Sequence, residues 1–154
     1  MQAKYKKLTV RQLDEALEGL KPLKTITLPP KGWVRAIRDA LGMSARQLAK
    51  RIGVKQQRIA RIEQDEKQGR VTLKTMRSVA EGMDCEFVYG FVPKTSLEQA
   101  IRDQARRVAT KRMQRSNQMM RLEAQELSEE EKKQVLDELT DEIANEMSRN
   151  LWDE

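Results

Sequence analysis

The stretch from Ser44 to Glu63, SARQLAKRIGVKQQRIARIE, gathers side chains suited to directional hydrogen bonding. At the helical period Lys55, Gln56, Gln57, Ala60, Arg61 and Gln64 fall on one outer face, with Arg58 toward a flank. A glutamine amide sets a donor beside an acceptor and matches an adenine edge, while an arginine guanidinium sets out paired donors and matches guanine. This is the chemistry of recognition, and it makes or breaks no covalent bond. For catalysis the chain is poorly equipped. It has no histidine, a single cysteine at Cys85, no carboxylate pair set apart from helix surfaces and no glycine-rich phosphate loop. The expectation is a protein that is not an enzyme and uses neither metal nor cofactor.

Those residues need a scaffold, and the neighbouring sequence supplies one. Four short helices are expected between Trp33 and Gly82. The first carries Trp33, Ile37, Ala40 and Leu41 on its apolar face and stops at Gly42. The second is capped by Ser44 and buries Leu48, Ala49 and Ile52. The third runs from about Lys55 to Gln64 with Ile59 and Ile62 inward, and the fourth from about Thr72 with Leu73, Met76, Val79 and Ala80 inward. Ala49 must be small where two helices cross, and Gly53 supplies a turn expected to need a positive φ.

These spacings resemble the helix-turn-helix of the lambda and 434 repressor and Cro class, the XRE-like family, over about 50 residues from Trp33 to Gly82. The resemblance implies that the helix beginning at Lys55 enters the major groove of DNA by its N-terminal end. It makes Gln56, Gln57 and Arg61 the leading base readers, with Lys55, Ala60 and Gln64 beside them. Phosphate contacts are assigned to Lys31, Arg35, Ser44, Arg46, Gln47, Lys50, Arg51, Arg58, Lys67 and Arg70. One position departs from the family. A glutamine often opens the second helix there and touches phosphate, whereas this chain has Ala45, and Arg46 or Gln47 must take over.

Outside that region, Leu8 to Leu20 has the spacing of a short amphipathic helix, and Pro22, Pro29, Pro30 and Gly32 mark an extended linker. The segment CEFVYGFV, Cys85 to Val92, is expected to form a single strand that pairs with a second subunit or lies on the core. A helix opening at Ser96 and extending toward Leu127 is expected to form a hairpin with a second, opened by the capping box of Ser128 and Glu131. The second buries Leu136, Leu139, Ile143 and Met147. The expected fold class is therefore mainly all-α: a lambda-repressor-like helix-turn-helix domain, a short strand and a C-terminal helical hairpin. The expected divisions are 1–32 for the N-terminal helix or arm and linker, 33–92 for the DNA-binding domain, and 93–154 for dimerisation or partner binding.

Charge is divided along the chain. Residues 1–115 carry 26 Lys/Arg against 12 Asp/Glu, and residues 116–154 carry 4 against 12. The first part attracts polyanions and the last repels them. Between Arg102 and Arg121 there are seven basic residues opposed only by Asp103. Two readings stand: a second DNA-contacting helix, or, favoured about two to one, a basic helix paired with the acidic one that follows.

The stretches PPKGWVRAIRDALGMS and MDCEFVYGFVPK, with the helical tail, resemble the mobile mystery protein A family of mobile-element regulators. That resemblance implies a co-encoded Fic-domain partner. The function expected is a sequence-specific transcriptional regulator, a dimeric (auto)repressor on a double-stranded DNA operator. The alternative is an antitoxin-like inhibitor of the Fic partner acting through the C-terminal helices. The Ser/Thr-x-x-x-Glu-Gly/Asn pattern common in Fic inhibitors is not found, Thr140 being followed four residues on by Ala144. With no apolar leader and one cysteine, the expected setting is the cytoplasm, with no membrane association.

Overall fold

Proline and glycine punctuation leaves the chain as helices, joined by short turns between residues 33 and 82 and by longer segments at 19–32 and 83–96. The computed structural model describes residues 2–122 and 127–153, with side chains described for 3–116 and 127–153. Its helices are α1 (Gln2–Glu18), α2 (Trp33–Ala40), α3 (Ala45–Ile52), α4 (Gln56–Lys67), α5 (Leu73–Gly82), α6 (Leu97–Leu122) and α7 (Glu129–Glu146). Short 3₁₀ segments lie at Lys21–Thr25 and Arg149–Trp152. The chain divides into two units, one being Thr25–Gly90 and the other joining Met1–Lys24 to Phe91–Glu154.

In the unit Thr25–Gly90, α2 to α5 enclose a core of Val34, Leu48, Ala49, Ile59, Ile62, Val79 and Met83. Ser44 caps α3 by accepting from the Gln47 N–H at 3.2 Å, and the Gln47 amide oxygen accepts in return from the Ser44 N–H at 2.7 Å. Thr72 accepts from the Thr75 N–H and caps α5. Helices α3 and α5 pass so closely at Gly82 that an added Cβ would meet Ile52 Cγ2, with Leu48 Cδ1 2.9 Å away. Glycine is required there by space.

The inward face of α2 differs from expectation. Val34 is the residue buried, with Ile37 packed on the core, while Trp33 and Leu41 are exposed. Residues 34, 37 and 38 form the continuous stripe at helical spacing, and Trp33 and Leu41 lie to its sides. Leu73 is likewise exposed at the first turn of α5.

The second unit is built on the hairpin of α6 and α7, whose core is Ala105, Ala109, Ile143 and Leu151 with Ile101, Val108, Leu136 and Leu139 packed around it. Two buried alanines allow the helices to approach closely. The capping box expected at Ser128 forms, with the Glu131 carboxylate accepting from the Ser128 N–H at 2.8 Å. Met147 ends α7 in the left-handed region, at φ 47°, and so serves as its C-cap rather than as part of its buried stripe. Helix α1 packs against α6. The Asp14 carboxylate accepts from the Leu97 and Glu98 N–H groups at 2.7 and 3.1 Å, capping α6 from another helix. The segment expected as a separate arm is thus grouped with the C-terminal hairpin. The extension of α6 expected toward Leu127 lies over 123–126, outside the described residues.

No strand forms at Cys85–Val92, and none is found among the described residues. The composition favours extended backbone, but a strand needs a second one to satisfy its backbone groups, and this chain offers none there. Cys85 packs on the core of the first unit, Phe87 and Tyr89 stack with ring centroids 6.2 Å apart, and Val88, Tyr89 and Phe91 are exposed.

Candidate nucleic-acid interface

The turn between α3 and α4 depends on Gly53, which adopts φ 71° and ψ 34° in the left-handed region. The N–H groups of Gly53 and Val54 both donate to the Ala49 carbonyl, so the chain reverses within a few residues and α4 starts at a fixed angle. Nothing lies within 4 Å of a Cβ placed on Gly53, so the requirement is conformational. Ala49 is buried between the helices, as its size demands.

Helix α4 is then fastened to α2 at two successive turns. The Arg38 Nε donates to Glu63 Oε1 at 2.7 Å, and its Nη1 donates to the Met43 carbonyl at 2.8 Å. Both side chains of the Arg38–Glu63 pair are about nine-tenths buried. The Glu63 hydrogen bond and charge hold the Arg38 guanidinium pKa above its ordinary value against the cost of burial. One turn on, the Glu66 carboxylate accepts from the N–H groups of Trp33 and Val34 at 2.8 and 3.0 Å, supplying α2 with the N-cap that Gly32 lacks. A Cβ on Gly32 would lie 2.7 Å from that carboxylate. Pattern reading missed both contacts because acidic residues on a charged helix look like solvated surface. The signal that could have found them is the spacing of Glu63 and Glu66 beside the inward Ile59 and Ile62.

With Ile59, Ile62 and Glu63 turned to the core, the opposite face of α4 is outward. Lys55, Gln56, Gln57, Ala60, Arg61 and Gln64 are all exposed on it, and so is Arg58. Lys55 is the N-cap residue and makes no side-chain capping bond; the Arg58 N–H donates to the Lys55 carbonyl at 2.9 Å, which leaves the Gln56 and Gln57 N–H groups to an anion. Arg61 stays three-quarters exposed and lies 3.8 Å from Asp65, an ion pair too loose and wet to hold it.

The residues assigned to phosphate are also exposed, but they are not equivalent. Arg51 donates from Nε to the Gly82 carbonyl at 2.6 Å and from Nη2 to Asp84 at 2.8 Å, closing the end of α5. Its position is therefore set by protein contacts. Gln47 has its amide oxygen engaged in the cap and its amide N–H groups still able to donate. Arg35 faces Asp39 at 3.7 Å. Lys31, Arg46, Lys50, Lys67 and Arg70 have no carboxylate within 4 Å among the described residues. Within 25–90 there are 13 Lys/Arg against 7 Asp/Glu, and the rest of the chain balances at 17 against 17. The whole net charge of +6 thus resides in this unit.

Residues 34–89 match the family model for the helix-turn-helix. No curated protein and no solved structure matches the chain. The helix-turn-helix match takes in α2 to α5, the Gly53 turn and the outward face of α4, and it supports a DNA-binding regulator. Among the described residues, no helix is long and apolar enough to cross a membrane.

Proposed function

We propose that the helix-turn-helix unit reads duplex DNA by sequence, with α4 in the major groove and Gln56, Gln57 and Arg61 on base edges. The observation that carries this reading is the division of α4. Ile59, Ile62, Glu63 and Glu66 fix it to the scaffold, while its amides and the Arg61 guanidinium face outward without a strong partner. Phosphate contacts from Lys31, Arg46, Lys50, Arg58, Lys67 and Arg70 position the helix, and base contacts confer preference. One such module buries only about 600–1,000 Å² of its own surface on DNA, so a second copy on a symmetric site supplies the remaining affinity. The exposed Val88, Tyr89 and Phe91 support a dimer seam at 86–92. The mobile mystery protein A resemblance extends the proposal to an autorepressor carried by a mobile element, with a Fic-domain protein as co-encoded partner.

The test is a footprint followed by quantitative binding. A palindromic footprint is expected, and Gln57→Ala should cost about 1–3 kcal/mol at one base pair while nonspecific affinity stays nearly constant. Equal loss on every duplex would defeat the base-reading role.

A further inference from the structure

The pairing expected between the basic and acidic helices occurs, and it accounts for only part of the basic helix. Arg102 donates to Asp141 at 2.7 Å and Arg106 to Asp137 at 3.3 Å, both across the α6–α7 hairpin. Arg107, Lys111 and Arg115 recur every four residues on a different face of α6, and all three are exposed. No carboxylate comes within 4 Å of them among the described residues. At about 1.5 Å per residue the stripe is roughly 12 Å long. It lines a groove of about 820 Å³ with Thr110 and Gln114, where the acidic groups are Asp103 and Asp153. Asp103 accepts from the Gln99 amide at 2.8 Å.

Arg107 is held in place. Gln104 is buried, donates from Nε2 to the Leu151 carbonyl at 3.0 Å and accepts at Oε1 from Arg107 Nη1 at 3.2 Å. A buried amide clamped to backbone at one end therefore orients a guanidinium at the other, leaving its remaining N–H groups outward.

We infer that the Arg107–Lys111–Arg115 stripe is a second, sequence-independent contact for the phosphate backbone of duplex DNA. The inference rests on the DNA-reading proposal for the other unit only in its choice of polyanion. Charge complementarity carries it: three cations at helical spacing meet a polymer bearing one charge per about 1.7 Å of duplex axis. A membrane surface fits less well, because the groove-facing residues include no aromatic or long aliphatic wedge beside the cations. The covalent link to a DNA-binding unit raises the local duplex concentration for this face.

The test compares full-length wild type with the triple variant Arg107→Gln, Lys111→Gln, Arg115→Gln, by fluorescence anisotropy between 50 and 200 mM salt. Two duplexes of equal length are used, one carrying the selected site and one scrambled. Each phosphate contact contributes about 0.9 to the slope of log affinity against log salt, so the variant should be shallower by about 2–3 on both duplexes. The ratio of the two affinities should not change. Circular dichroism checks folding, and if the triple variant is unfolded, Arg115→Gln alone should remove about one slope unit. A slope equal to that of wild type on both duplexes overturns the proposal, including where the variant has lost affinity for poly-glutamate. If wild type does not distinguish the two duplexes, base reading by α4 fails, and the slope difference still decides this inference.

Discussion

Gly53 and Gly82 show that the same residue can be required for two separable reasons. Gly53 sits at φ 71° with open space around it, so Gly53→Ala should cost about 1–2 kcal/mol from backbone strain alone. Gly82 is in helical backbone, but an added methyl meets Ile52 and Leu48, so Gly82→Ala should cost about 1–3 kcal/mol from overpacking. In an Ile52→Ala background, which removes the Cγ2 that crowds position 82, Gly82→Ala should cost less than in wild type while the Gly53→Ala loss is unchanged, as read by urea denaturation. Equal rescue of both would contradict the distinction. The Arg38–Glu63 pair is a third residue-scale test. Glu63→Gln leaves Arg38 with Asp39 at 3.1 Å and the Met43 carbonyl at 2.8 Å as its remaining partners, and should lower stability by about 1–3 kcal/mol. The Gly53 turn was legible in the sequence because its neighbours repeat at fixed offsets. The roles of Glu63, Glu66 and Gly82 were not, because each depends on a residue at least 25 positions away.

Helix ends were read from the sequence wherever the cap was local. Ser44 and Ser128 each place their capping partner three residues on, and both boxes form as expected. The caps supplied from afar, Glu66 on α2 and Asp14 on α6, left no local trace. The segment 85–92 illustrates the opposite failure, since its β-branched and aromatic residues predict extended backbone but cannot supply the neighbour that makes a strand. The Ser128 cap has a pH signature. Hydrogen bonds from the Ser128 hydroxyl and N–H hold the Glu131 carboxyl below its ordinary value of 4.5. A depressed carboxyl contributes stability above its ordinary pKa and loses it as pH falls through the folded value. Protection of the Ser128 and Glu131 amides, taken relative to their intrinsic exchange rates, should therefore fall below about pH 4.5, and Glu131→Gln should remove that dependence. Unchanged acid sensitivity in the variant would place its cause elsewhere.

For the whole molecule, the uneven charge sets the behaviour toward polyanions. The helix-turn-helix unit holds all of the net +6, while the other unit is balanced yet internally segregated between α6 and α7. Engagement of six to ten phosphates would weaken binding about 10³–10⁵-fold between 50 and 200 mM salt. A nearly salt-independent affinity would contradict that electrostatic account. Sequence preference is a separate quantity, and it rests on α4. The most direct measurement is selection of bound duplexes from a random pool by the full-length protein at physiological salt, with wild type beside Gln56→Ala, Gln57→Ala and Arg61→Ala. The account predicts one enriched, two-fold symmetric motif that degrades at individual base pairs in the variants. Recovery of the input pool, with no motif enriched by a folded protein that still binds DNA, would contradict it.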